Sequence, residues 1–194
     1  GEVRVPADAK WGAQTQRAVQ NFPISGIPIS HFPHLIRALA LVKKAAAAAN
    51  CRLGQLSAEK AQTIARVCDE ILEGHHHQHF PVDVLQGGAG TSTNMNANEV
   101  IANRGLELMG LRCGDYAHLH PNDDVNRAQS TNDVYPTAVR VALMTAVPGL
   151  IEALGDLATA FEAKGAEFAD VPKLGRTELQ DAVPMVLGDE MRAY

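Results

Sequence analysis

The 194-residue chain has no excess of basic residues: 17 Lys and Arg stand against 22 Asp and Glu, a formal charge of -5. That balance argues against a nucleic-acid partner, whose phosphates call for a basic patch. It has no apolar run approaching the ~20 residues that span a bilayer, so no membrane partner is expected. Gly1-Glu2-Val3-Arg4-Val5 carries no charged-then-apolar signal pattern. Cysteine is scarce and odd in number. Cys51, Cys68 and Cys113 lie far apart, which excludes a disulfide framework or a metal knuckle and fits reduced thiols in a cytoplasmic protein. The one glycine-rich stretch lacks the lysine of a phosphate-binding loop and the spacing of a dinucleotide fingerprint, and no βαβ alternation surrounds it.

What is present is a concentration of small, neutral hydrogen-bonding residues. From Gln86 to Glu99, fourteen positions hold three glycines, two threonines, one serine and three asparagines. Glycines let the backbone turn and expose its N–H groups, while hydroxyls and amides add uncharged donors. A helical pattern follows directly, so the partial positive charge of a helix N-terminus favours an anion there. Such a surface suits carboxylates.

Around it the pattern is helical. Residues 1–30 are rich in proline and glycine, with a short helix over Ala13 to Val19. Leu35, Ile36, Leu39, Val42, Ala46 and Ala49 recur at three- and four-residue steps, predicting a helix from Pro33 to Asn50 that Gly54 breaks. Ser57 caps the next, with Ile64, Val67, Cys68, Ile71 and Leu72 inward and Gly74 as the stop. His75, His76, His77 and His79 are expected in a surface turn before Pro81; clustered imidazoles can bind zinc or nickel, but a metal site also needs ligands fixed by a scaffold. After Asn94 a helix continues to Gly110. Ser130 with Asp133 reads as a capping box, and Pro136 falls in the first turn of the helix it opens. Val139, Leu143, Val147, Leu150, Leu154, Leu157 and Phe161 then run in near-heptad steps, with Pro148-Gly149 as a kink point. A third donor-rich turn, Gly175 to Pro184, precedes another helical start. The expectation is an all-α protein with an N-terminal helical domain over 1–129 and the start of a central helix bundle over 130–194. Because Met191 to Tyr194 stops within a helical pattern, the chain is expected to be the front portion of a longer protein.

The motifs Gly88-Ala89-Gly90-Thr91-Ser92-Thr93-Asn94-Met95-Asn96, Pro121-Asn122-Asp123-Asp124-Val125-Asn126 and Gln129-Ser130-Thr131-Asn132-Asp133 resemble the aspartase/class II fumarase family. Gly175-Arg176-Thr177 with Leu179-Gln180-Asp181-Ala182 is similar to its third motif, and Val5-Pro6-Ala7-Asp8 to its front. The likeness covers the whole chain. It implies a homotetramer with active sites shared between subunits, and a small dicarboxylate as substrate. Thr91, Ser130, Thr131, Asn132 and Thr177 match carboxylate contacts, Thr177 and Glu178 are the chain's candidate catalytic residues, and His120, Asn122 and Asp123 match a second anion site.

The implied reaction is anti elimination of ammonia from L-aspartate to give fumarate. The alternatives are hydration of fumarate to malate, and a non-catalytic oligomerisation module. No cofactor or metal site is expected, and no ligand set argues for the magnesium activation known among aspartases. The family's general-base serine loop has no counterpart here, so this chain alone is expected to be inactive. Gly87 to Ser92, Gly105 to Gly110 and Val183-Pro184-Met185 favour the ammonia-lyase branch. Trp11 to Gln16 and His120 favour the fumarase branch. Glu178 replaces the histidine or glutamine of the family; beside a dicarboxylate it is repulsive unless paired, and the α-ammonium of aspartate would pair it.

Overall fold

A computed structural model describes residues 2–194. Gly1–Thr145 and Ala146–Tyr194 form two compact units, with the division inside the long helix. In the first unit α1 (Ala13–Asn21), α2 (Pro33–Arg52), α3 (Ala58–Leu72) and α4 (Thr91–Leu108) surround one core, and α5 (Thr131–Glu167) begins there. Pro33 opens α2 at a position whose N–H would have no helical partner. The Ser57 hydroxyl accepts from Lys60 N at 3.3 Å to start α3. Gly54 and Gly74 take the left-handed conformation that ends each helix. Ile36, Leu39 and Ala40 of α2 meet the α3 face of Ile64, Val67, Cys68 and Ile71, all essentially without solvent contact.

α4 has no solvent face over most of its length: Thr93, Asn94 and every residue from Asn96 to Asn103 are buried. Its polar side chains are used as fasteners. The Glu99 carboxylate accepts backbone N–H bonds from Gly12, Gln14 and Thr15, each at 2.9 Å. These donors are the N-terminal orphans of α1, whose own cap residue, Gly12, has no side chain to offer. A Cβ at Gly12 would come within 2.6 Å of the Tyr116 hydroxyl and 2.8 Å of Glu99 Oε1, so glycine is required by this close approach. Asn96 donates to the His79 carbonyl at 2.9 Å, and Asn103 to that of Lys10 at 2.8 Å.

Ahead of α4, Asp83 organises the segment after α1. Its carboxylate accepts from Ser25 N and Oγ, Gly26 N and Leu85 N at 2.7–2.8 Å. Led by the Ser25 hydroxyl, these bonds hold the carboxyl at about 2, below the usual aspartate range.

The fold is mostly helical, as expected, and the second unit adds two short strands. Residues Pro172–Thr177 (β1) and Gln180–Val186 (β2) form an antiparallel hairpin with an irregularity between Leu174 and Arg176, followed by α6 (Leu187–Arg192). The stretch expected to be a turn at a helix end is therefore a β-turn. Glu178 and Leu179 occupy its two central positions at φ 51 and 66, the double left-handed geometry whose twist matches paired strands. The protein remains mostly helical.

α5 continues through Pro148. It also corrects the view that no segment approaches bilayer length, because an 18-residue window within it reaches mean hydropathy 1.5. Small residues and Thr145, Pro148 and Gly149 interrupt the apolar residues, which hid the window. Leu143, Met144, Leu150, Ile151, Leu154 and Leu157 on this helix are all more than half exposed.

Two measurements check these fastenings in the full-length protein. Glu99→Ala strips three N–H groups of their acceptor and is expected to lower unfolding free energy by about 3 kcal/mol, read by denaturant titration. For Asp83 the folded-state pKa is depressed, so its stabilisation is complete above pH ~4 and lost as pH falls toward about 2. The melting-temperature gap between wild type and Asp83→Asn should accordingly be flat from neutrality to about pH 5 and shrink below about pH 4.

Candidate active site

The glycine-rich turn delivers the chain into α4 with its first N–H groups open. Gly88 and Gly90 have φ 71 and 86, which only glycine adopts without strain. Gly90 is the cap residue and carries no capping side chain. Gln86 does that work: its Oε1 accepts from Thr93 N at 2.8 Å, while its Nε2 donates to Thr93 Oγ1 at 2.8 Å and the Asp83 carbonyl at 2.9 Å. The helix ladder itself begins with Asn94 N on the Gly90 carbonyl at 3.0 Å. Thr91 and Ser92 thus keep N–H groups uncommitted at the positive end of α4, on the partly open side of the helix. Thr93 and Asn94 turn inward.

α5 starts against this point. Asn94 Nδ2 donates to Thr131 Oγ1 at 3.1 Å, binding the first residue of α5 to the first turn of α4. Ser130 Oγ accepts from Asn132 N at 3.2 Å and the Ser130 carbonyl from Asp133 N at 3.0 Å. The hydroxyl therefore caps Asn132 rather than Asp133, and the reciprocal box expected for Ser130 and Asp133 does not form. Pro136 is the sixth helical residue, beyond the first turn where it was expected, so its missing N–H leaves the Asn132 carbonyl without a ladder donor. A cavity of ≈ 310 Å³ opens at the junction, with Gln86, Gly88, Ala89, Gly90, Asn132 and Tyr135 in its wall. Every lining residue is uncharged. The Tyr135 ring lies against Gly90, where any Cβ would run into it.

Behind this junction is a group the sequence reading missed. Lys43 has no solvent exposure, and its Nζ donates to Asn126 Oδ1 at 2.7 Å and Gln129 Oε1 at 3.1 Å. Burial lowers its pKa to about 7. Lys43 falls on the stripe Ile36, Leu39, Ala40, Ala47 and Asn50 of α2, a position that marks it only once that stripe is known to be buried.

The remaining candidates divide. Thr91, Ser130, Thr131 and Asn132 gather where α4 and α5 begin. Thr177 and Glu178 belong to the hairpin of the second unit, where Thr177 lines an open cavity of ≈ 1020 Å³ together with Lys173, Arg176 and Asp181. Glu178 is exposed at the turn and forms no ion pair among the described residues. His120, Asn122 and Asp123 cluster at the start of a π-helical turn, Pro121–Val125. There His120 Nδ1 accepts from Asn122 N and Asp123 N, both at 3.1 Å, so those N–H groups are already engaged. Asp124 closes the turn by accepting from His120 N at 2.8 Å and pairing with Lys60 at 2.7 Å. The histidine run serves separate contacts: His76 meets Glu70 at 2.7 Å and His77 the Ile71 carbonyl at 2.9 Å. No group of three metal-ligating side chains occurs among the described residues.

The family profile described as "Lyase" matches residues 1–194. The chain belongs to that lyase family. It is 59% identical over 194 residues to the aspartate ammonia-lyase of Pseudomonas fluorescens and 53% identical over 195 residues to that of Escherichia coli K12. Both alignments cover 100% of this chain and 41% of the relative, so the chain spans about two fifths of the length of those lyases. Among solved structures, the fumarate lyase:delta crystallin of Brucella melitensis superposes with TM-score 0.94 at 59% identity, covering 100% of this chain and 44% of that one. The class II fumarase of Schistosoma mansoni gives 0.88 at 37%, covering 100% and 40%. The likeness to the fumarase/aspartase fold therefore extends along the whole chain.

The close seat of Gly90 in this lyase segment is testable against another left-handed glycine. Gly54 has φ 69 with nothing within 4 Å of an added Cβ, so Gly54→Ala costs strain alone, about 1 kcal/mol. Gly90→Ala adds a collision with Tyr135 and is expected to cost about 3 kcal/mol, compared by denaturant unfolding of the two full-length variants.

Proposed function

We propose that the protein carrying this chain is an aspartate ammonia-lyase, which eliminates ammonia from L-aspartate to give fumarate. The observation that carries the reading is the junction of α4 and α5: two helix N-termini tied at 3.1 Å through Asn94 and Thr131, beside a cavity without a charged wall. Thr91, Ser130, Thr131 and Asn132 present hydroxyl, amide and backbone donors where the helix ends favour negative charge. When a base removes the proton beside one carboxylate, charge collects on that carboxylate as an aci-dianion. Donors fixed in advance around it stabilise the transition state more than the substrate. Thr177 offers its hydroxyl to a carboxylate in a site completed by another copy of the chain. The elimination transfers no electrons to an acceptor, so the proposal requires no redox cofactor, and the general base belongs to sequence outside this chain.

The choice of aspartate over malate rests on two supports. The aspartate ammonia-lyases stand at 53–59% identity against 37% for the class II fumarase. Glu178, exposed and without an ion-pair partner among the described residues, is free to pair with an α-ammonium. The apolar residues left open on α5 support assembly as a homotetramer, with Thr177 and Glu178 acting in a site completed by other copies. Three free thiols are in keeping with a cytoplasmic location. His120, Asn122 and Asp123 form a second anion site only if His120 rotates off the two N–H groups it now holds.

The test is fumarate absorbance after mixing the full-length protein with L-aspartate or with L-malate. Turnover of aspartate at least tenfold faster is expected, and Glu178→Gln should raise KM for aspartate about tenfold while lowering that for malate, which has no ammonium to pair the carboxylate. A wild type that prefers malate overturns the substrate assignment. One inert toward both is a structural member of the family.

A further inference from the structure

The Thr131 hydroxyl can donate to a carboxylate or turn its hydrogen inward, and nothing in threonine itself decides between them. The decision is made behind it. Asn94 Nδ2 donates both to Thr131 Oγ1, at 3.1 Å, and to Asn126 Oδ1, at 3.2 Å. Asn126 Oδ1 also accepts from Lys43 Nζ at 2.7 Å, and Asn126 Nδ2 donates to the Gln129 carbonyl at 3.2 Å. Asn94 and Asn126 are amides, whose two ends are alike in shape and opposite in hydrogen-bonding sense, so a chain of them has no direction of its own. Lysine has only hydrogens to give.

We infer that Lys43 is a positioning residue for the proposed site, setting through Asn126 and Asn94 the direction in which the Thr131 hydroxyl donates. The inference rests on the dicarboxylate-lyase reading above. Because Lys43 donates and the Gln129 carbonyl only accepts, Asn126 turns its carbonyl toward Lys43 and its NH2 toward Gln129. Asn94 must then present its NH2, since its carbonyl in that place would face the Asn126 oxygen at 3.2 Å. Thr131 Oγ1 accepts one of the Asn94 hydrogens, which leaves its own hydrogen to leave the network and meet an anion.

Two further observations agree. Asn94 Oδ1 is buried with no hydrogen-bond partner, an unfavourable state that persists because turning the amide over would break the relay. Lys43, moreover, is buried against amide oxygens with no carboxylate bonded to it. A lysine that served stability alone would be better replaced by an apolar side chain, since burying its charge is costly. Burial brings its pKa to about 7, and it is the protonated form, with three hydrogens and no lone pair, that fixes the direction of the relay.

A double-mutant cycle in the full-length protein tests this. Lys43→Met keeps the length of the side chain and removes its donors. In wild-type background it should lower kcat/KM for L-aspartate about 10–100-fold. In a Thr131→Ala background, where there is no hydroxyl left to aim, the same change should cost less than about threefold. Equal losses in the two backgrounds, or no loss in either, overturn the inference, because Lys43 would then act on the fold or not at all. If Lys43→Met does not fold, by melting temperature and gel filtration, Asn126→Ala takes its place in the cycle. It cuts the relay while Gln129 still holds Lys43, and the same non-additivity is expected, with additivity again overturning the inference. Wild-type protein that neither turns over L-aspartate nor binds fumarate calorimetrically removes the proposed function and this inference together. An active wild type with additive variants removes this inference alone.

Discussion

α4 is a helix without a water-facing side over most of its length, and the first unit is arranged around the consequences. A buried helix gains from apolar contact but cannot leave a polar side chain unanswered. Here most of those side chains take hold of another piece of chain, while Asn98 bonds only Met95 of its own helix. Glu99 holds the start of α1, Asn96 the histidine turn, Asn103 the bend at Lys10 and the turn at Gly114, and Asn94 the first residue of α5. Loops with little apolar content are thereby located by hydrogen bonds to one rigid body. The position of the donor cluster at the head of α5 follows from its attachment to α4.

What the amino-acid sequence made visible was whatever is decided locally. α2 and α3 carry their periodicity, cap and stop residues within themselves, so Pro33, Ser57, Gly54 and Gly74 fall where they were expected. The features that escaped depend on partners far along the chain or on exceptions to propensity. Nothing near Gly12 announces that its helix is capped by a carboxylate 87 residues away. α4 begins three residues before Asn94 because the Gln86 side chain substitutes for a cap. Its apolar residues mark no single face, since all its faces are covered. The hairpin was hidden because Gly175 and Pro184 are poor strand residues and the turn places Glu178 and Leu179, neither glycine nor asparagine, at positive φ. At the site, the donor turns were legible as clusters of Ser, Thr and Asn. Lys43 was not, because a lysine on a helix stripe reads as surface charge until the stripe is known to be buried.

The site's chemistry is distinguished by where its positive charge is kept. An arginine clamp would bind a dicarboxylate strongly before and after reaction alike, which deepens ground-state binding without lowering the barrier. Helix ends and hydroxyls interact more weakly with a resting carboxylate. Their orientation is set in advance, and they respond most when charge accumulates on the oxygen they face. The Lys43 amine is joined to Thr131 only through the amides of Asn126 and Asn94. On the reading proposed above, its influence on a bound anion is hydrogen-bond direction and not an ion pair.

The attachment of α1 to Glu99 also bears on the order in which a ribosome releases the chain. α2 and α3 are adjacent in sequence and can pair as soon as residue 72 has emerged, whereas α1 must wait with its first N–H groups open until Glu99 appears 87 positions after Gly12. Nascent protein therefore passes through a stage in which a two-helix hairpin is flanked by an unattached amino-terminal segment. That segment is exposed to proteases and chaperones for the time it takes to synthesise α4.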